Sequence, residues 1–213
     1  MLRIALFGAS GMVGQRIARE ALKRGHSITA IVRASTYLTI SHPRLEVAVA
    51  DASVPADVAE IVQGYDVVVS ALGPSASAPA STFVDLTRSL IEGVGRSGVP
   101  RLIAVGGAGS LEVKPGVQLM DTPDFPEDLQ AIARAHREAL AYYRPVNAFD
   151  WTVISPAANI EPGQCTGHYR TATDQLVTNA QGESNISVED FAIAVLDELE
   201  EPHHNRQRFT VGY

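Results

Sequence analysis

Short apolar runs alternate with amphipathic stretches along the whole chain. Leu2-Arg3-Ile4-Ala5-Leu6-Phe7 has the length of a strand, and residues 15–22 read as a helix with Val13, Ile17, Ala18 and Ala21 on one face. Further strands are predicted at 27–33, 45–50, 66–70, 101–105, 151–154 and 208–211. Helices are predicted at 54–63, with Pro55 in a first turn that loses nothing by it, at 79–97, ended by Gly98, and at 127–143. The middle of the 66–70 run is wholly apolar, as suits a strand covered on both faces. Ser187-Val188-Glu189-Asp190 resembles a capping box with Asp in the fourth place and opens a helix to Glu200. Residues 156–185 look irregular, with a short strand at His168-Tyr169-Arg170. Strands that alternate with helices predict an α/β fold, a Rossmann-like doubly wound parallel sheet. With no repeat, low-complexity tract or linker, the expectation is one domain over 1–213, with substrate loops at about 106–128 and 156–186.

The first strand runs directly into Gly8-Ala9-Ser10-Gly11-Met12-Val13-Gly14 and then a helix. Gly8 permits a tight turn, Gly11 lets backbone approach a pyrophosphate, and Gly14 lets the helix lie close to the sheet. The helix N-terminus then offers unpaired N–H groups to phosphate. The spacing is G-x-x-G-x-x-G rather than G-x-G-x-x-G, and a bare glycine turn between strand and helix is the competing reading.

Arg33 stands at the end of the second strand, where a carboxylate would hold the ribose 2′-hydroxyl of NAD and an arginine suits the 2′-phosphate of NADP. No Asp or Glu lies between Glu20 and Glu46. A solvated surface arginine is the alternative. Asp51, before Ala52, could accept from the adenine amino group or begin an Asx turn. Ser70-Ala71-Leu72-Gly73-Pro74 leaves the fourth strand and Val105-Gly106-Gly107-Ala108-Gly109-Ser110 the fifth. Small residues at strand exits admit a ribose or nicotinamide ring, although turns alone also need glycine. Ser155-Pro156-Ala157 leaves the sixth strand. With Leu119-Met120-Asp121-Thr122-Pro123-Asp124-Phe125-Pro126 it could wall a substrate pocket, or both could simply pack on the domain.

Charge and cysteine narrow the classes. The 213 residues carry a net charge of −7, which argues against a nucleic-acid groove or an anionic membrane surface. Cys165 is the only cysteine, so no internal disulfide forms. The chain begins without a signal-peptide pattern, and its longest uncharged run, residues 67–84, is too polar to span a bilayer. A cytoplasmic location is expected; monomer and homodimer both fit. The two lysines, Lys23 and Lys114, follow no tyrosine at Tyr-x-x-x-Lys spacing. The acid/base pair of ordinary short-chain dehydrogenases is therefore missing. His136, in the helix where that pair would sit, could exchange a proton or hydrogen-bond the cofactor ribose, or could be an ordinary helix histidine. His203 and His204 read as a solvated tail rather than a metal site, Cys165 has no nucleophile-like surroundings, and no phosphate loop of the Gly-Lys-Ser/Thr kind occurs.

The glycine turn, the fifth-strand exit, Asp121-Thr122-Pro123-Asp124-Phe125-Pro126, Ser155-Pro156-Ala157 and the closing Arg208-Phe209-Thr210-Val211-Gly212-Tyr213 resemble, across essentially the whole chain, atypical short-chain dehydrogenase/reductases of the NADH-flavin reductase type, relatives of biliverdin-IXβ reductase and NmrA-like proteins. The resemblance implies a Rossmann fold holding NAD(P)H, with a flat substrate over the nicotinamide. It implies that Gly8, Ser10, Gly11, Met12, Val13 and Arg33 line the cofactor, and it matches His136 to a helix histidine of the biliverdin-reductase branch. The serine of that branch at the fifth-strand exit is replaced here by glycines, with Ser110 a few residues late. The expected cofactor-binding set is completed by Asp51, Ala52, Ala71, Leu72, Gly73, Gly106, Gly107, Pro156 and Ala157. The expected activity is NADPH-preferring hydride transfer, with NADH as the lesser cofactor, to a small flat acceptor such as a flavin or quinone. Flavin is then a substrate rather than a bound group. A non-catalytic NADP(H) sensor is the alternative, and a sugar-nucleotide epimerase would need the missing Tyr–Lys pair and a larger substrate domain.

Overall fold

The computed structural model describes residues 1–33, 38–75 and 78–213. In chain order the elements are β1 (Arg3–Phe7), α1 (Met12–Lys23), β2 (Ser27–Val32), β3 (Leu45–Val49), α2 (Pro55–Ile61), β4 (Val67–Ser70), α3 (Ala80–Ser97) and β5 (Arg101–Val105). There follow β6 (Glu112–Lys114), β7 (Val117–Gln118), α4 (Gln130–Tyr143), β8 (Asp150–Ser155), β9 (Asn159–Glu161), β10 (Arg170–Ala172), β11 (Asn185–Ser187), α5 (Val188–Glu200) and β12 (Gln207–Gly212). Eight strands form one sheet in the order β10-β12-β8-β5-β4-β1-β2-β3. All neighbours in it are parallel except the edge strand β10, which runs antiparallel to β12. The expected Rossmann-like α/β fold is therefore present, with one antiparallel edge.

Alternation along each strand splits the core in two. Ile4 and Leu6 of β1 join Val67, Val69 and Ile103 under α1 and α5, where Ile17, Ala21, Phe191 and Val195 meet them. Ala5 and Phe7 point the other way, with Val68, Leu102 and Val153, into a layer built on Val58, Leu90, Val94 and Leu140 of α2, α3 and α4. Both faces of the central strands are thus apolar, which is why the 66–70 run shows no polar alternation. Helices end where the sequence lets them. Gly98 is left-handed after α3 (φ 76°) and Pro55 opens α2.

The second half of the chain departs from expectation. The loop after β5 folds a small hairpin, β6/β7, and residues 127–129 form a 3₁₀ turn ahead of α4. Residues 156–185 contain β9, which pairs with β11, and β10 two residues later than expected. Ser187 does cap α5, its Oγ accepting from Asp190 N at 3.0 Å. The reciprocal half of the capping box is absent. The buried Asp190 carboxylate instead accepts from Thr166 N and Oγ1, Gly167 N and Tyr213 Oη at 2.6–2.9 Å, tying the 163–167 loop and the C-terminus to α5. The β9/β11 pair, β10 and the Asp190 clamp are set by contacts far away in sequence, which local periodicity does not report.

Candidate functional site

The sheet order turns back at β1, with β2 and β3 on one side and β4, β5 and β8 on the other. At the carboxyl ends of β1 and β4 the chain exits touch. Gly8 leaves β1 at φ +77°, and a Cβ there would lie 2.6 Å from Ala71 O, so backbone conformation and space both require glycine. Gly11 N donates to Gly8 O at 3.1 Å, and Gln15 Nε2 donates to Ser10 O at 2.9 Å, which closes the turn. A Cβ on Gly14 would come within 2.1 Å of Gly8 O, so the first turn of α1 lies directly on the loop. Gly11 is different. Its φ is −75°, and an added Cβ would meet only Gly8 O, at 3.4 Å. Nothing in the fold demands glycine there, and the open position is one that a ligand could approach closely.

Gly11 is the N-cap of α1, with no side-chain cap and no acidic residue in the first turn. The helix begins three residues earlier than expected, so Met12 and Val13 supply N–H groups of its first turn. Those groups, with the positive end of the helix dipole, fit a diphosphate.

Beside this turn a cavity of about 230 Å³ opens at the ends of β1 to β4. The structure brings Arg33, Ala52, Leu72 and Gly73 to its walls, with Phe7 and Phe83 behind them. Arg33 is the one cation lining it and makes no hydrogen bond or ion pair among the described residues. Asp51 is not in the wall. Its Oδ1 accepts from Ser53 N at 2.9 Å and Ser53 Oγ at 2.7 Å, an Asx turn into α2. These two donors, with the Arg33 charge, hold its carboxyl below the usual range.

The other end of the crevice is made of backbone and one ring. Gly106 N donates to Ile154 O at 2.8 Å, and Cβ atoms on Gly106 and Gly107 would lie 2.8 Å from Val153 Cγ1 and His136 Cγ. Both glycines therefore have a packing reason that needs no ligand. The His136 ring sits 4.7 Å from that of Phe83, tilted by 57°, and has no hydrogen-bond partner among the described residues. Burial pushes its pKa down to about 4, so the imidazole is neutral at pH 7. It can give or take one hydrogen bond there but is no imidazolium acid. Phe83 touches both His136 and the Arg33 cavity. Sequence reasoning missed it, since an apolar residue on the inner face of α3 looks like any core residue.

Other candidates fall elsewhere. Pro156 and Ala157 leave β8 but are buried, Ala157 in the core layer under α1 and α5. Ser110 is held by Arg208, whose Nη1 donates to its Oγ at 2.7 Å, which leaves it no obvious proton-transfer role. His203 and His204 are not a loose tail. The buried Glu198 accepts from both backbone amides and pairs with His204 Nδ1 at 2.7 Å, and His204 stacks on Phe209. Among the described residues no His/Cys/Asp/Glu group is arranged to hold a metal, and no helix is long and apolar enough to cross a membrane.

A family model described as NAD(P)H-binding matches residues 8–202. A solved structure from Burkholderia pseudomallei, provisionally named an exported protein, is 46% identical over the full length of both chains, with a TM-score of 0.92. One from Bacteroides thetaiotaomicron, provisionally named an epimerase, is 41% identical over 100% of this chain and 97% of that one, with a TM-score of 0.94. A third, from Streptococcus pneumoniae and provisionally named an NADH-flavin reductase, is 33% identical over 100% and 99%, with a TM-score of 0.87. The fold is common to all three while the names differ.

Proposed function

The chain belongs to the NAD(P)H-binding family, and from that premise we propose that it is an NADPH-preferring reductase that delivers hydride to a small, flat, electron-poor acceptor such as a flavin or quinone. The observation that carries the reading is the cation-lined cavity beside the glycine turn. Arg33, which makes no hydrogen bond or ion pair among the described residues, stands where a 2′-phosphate would need a counter-charge, and no described carboxylate lines the wall to favour the free ribose hydroxyl of NAD. The reduced nicotinamide, when bound, supplies the hydride.

The residues of this chain bind and orient. The amides of Met12 and Val13 receive the diphosphate. Ala71, Leu72 and Gly73 let the backbone approach the ribose, and Gly106 and Gly107 do the same at the ring end. His136 contributes one hydrogen bond from a neutral imidazole to cofactor or acceptor. Acceptors of this class take their proton from solvent, so the missing Tyr–Lys pair is tolerable. The 106–128 and 156–186 segments form the walls of the acceptor site. An epimerase is disfavoured because its proton steps need a charged or acidic pair that this site lacks.

NADPH oxidation followed with FMN, FAD and quinones tests the reading. Turnover with at least one acceptor, faster from NADPH than from NADH, is expected. Tight NADPH binding without turnover on any acceptor would replace it with the second reading, an NADP(H) sensor, which the unpartnered, uncharged His136 favours.

A further inference from the structure

Away from the crevice, a groove of about 400 Å³ lies between the end of α4 and the starts of β8 and β12. Leu140, Arg144, Trp151, Asp174, Arg206 and Arg208 line it. Three arginines and one acid line it, with Asp150 paired to Arg206 beside it, in a chain of net charge −7. The α4 C-terminus accounts for one cation in this place, not three. Arg144 makes no hydrogen bond or ion pair among the described residues. The Arg208 side chain is only 7% exposed, whereas its carboxylate partner Asp174 is 53% exposed and stands on the water side. Ser110 fixes the other edge of that guanidinium. A cation this buried is costly unless anions satisfy it, and an exposed carboxylate is a partner that a ligand can displace.

The backbone adds two further observations. Arg206 is the one non-glycine residue with positive φ, 56°, among those described, a conformation disfavoured for arginine. It is held so by its amide, which donates to Trp151 O at 2.7 Å, and by its side chain, which reaches Asp150 Oδ1 and Asn147 O. Such strain persists where the surroundings enforce it, and it clusters at binding sites. Trp151 Nε1, beside it, is a buried donor with no acceptor among the described residues.

We propose that this groove binds a small oxyanion of two or more negative charges, gripped by Arg144 and Arg208 with Arg206 at the rim. Arginine forks match phosphate and carboxylate oxygens alike. The proposal does not depend on the reductase reading. Trp151 is the only tryptophan of the chain, so its emission reports the groove directly. Protein saturated with NADP⁺, to fill the crevice, is titrated with pyrophosphate and separately with citrate, at ionic strength held constant with KCl. A saturable change in emission with either probe is expected, and the stronger probe distinguishes a phosphate from a carboxylate source. Arg144→Ala should weaken it by about tenfold, the usual loss for one charge-assisted bond, while leaving the anion-free melting temperature unchanged. Arg208→Lys, which keeps the charge but loses the fork, should weaken it too. No saturable change with either probe, or an Arg144→Ala titration that overlays the wild type, overturns the proposal.

Discussion

The two ends of the crevice are built on different physics. At the proposed adenosine end the fold supplies space, the Arg33 guanidinium and a turn that is open at Gly11. At the hydride end it supplies bare backbone and a neutral ring packed between Gly107 and Phe83. On the proposed reading the first end discriminates among anions, while the second offers, among the described residues, no charged group that could drive proton transfer. A site so divided suits chemistry in which the cofactor does the work and the protein fixes geometry. The sharpest way to break the comparison is to abolish the glycine turn beside the Arg33 cavity. Gly14→Val would force side-chain carbons against Gly8 O and is expected to eliminate NADPH binding and cost about 1–3 kcal/mol of stability, the range for overpacking. Gly25→Ala is the control. It has a positive φ but open space around it, so calorimetry should show stability lost and binding kept. Retained NADPH affinity in Gly14→Val would show that the turn is not the phosphate site.

Arg33→Glu tests the adenosine end alone. Removing a charge-assisted contact and placing like charge there should lower NADPH affinity by about a hundredfold and leave NADH within about threefold. A parallel fall for both cofactors would deny Arg33 its discriminating role and blur the difference between the ends.

The adenosine end was also the more legible in sequence, and for a reason. Its parts lie within a few residues of strand exits, so Gly8, Gly14 and Arg33 carry their meaning in local spacing. His136 could be found as a residue but not as a state. Its neutrality comes from desolvation by neighbours on other elements, which periodicity does not encode. Asp51 was readable either as a ligand group or as a turn former, and only the Ser53 contacts separate the two. Beyond Gly106, the β9/β11 pair and the Asp190 clamp join residues more than twenty positions apart. That half of the fold therefore read as loop, and the His203–His204 pair as tail.

The hydride end is sharpened by acid. An unfolded imidazole takes up a proton near pH 6.5, whereas desolvation keeps the half-buried His136 neutral down to about pH 4. Between those values the unfolded chain binds more protons, so stability present above pH 6.5 is lost as the pH falls toward 4. From pH 7 to 4.5 the wild type should lose about 2 kcal/mol through this one group, a loss that His136→Gln escapes. Urea unfolding of both proteins at the two pH values measures it. Equal losses would mean that the ring is solvated and the contrast between the ends is weaker than drawn.

The smallest effect expected belongs to Asp51, whose two possible roles straddle the comparison. Asn at this position keeps an Oδ1 that accepts from Ser53 N and Oγ, so the turn into α2 survives, and stability should stay within about 0.5 kcal/mol. What the substitution removes is the second acceptor oxygen, the one free to meet an adenine amino group. Because Asp51 is absent from the cavity wall, the loss of that oxygen should change NADPH affinity by less than about threefold. A fall of about tenfold would instead put a carboxylate into adenine recognition. The adenosine end would then select its ligand by hydrogen bonding to the base as well as by the Arg33 charge.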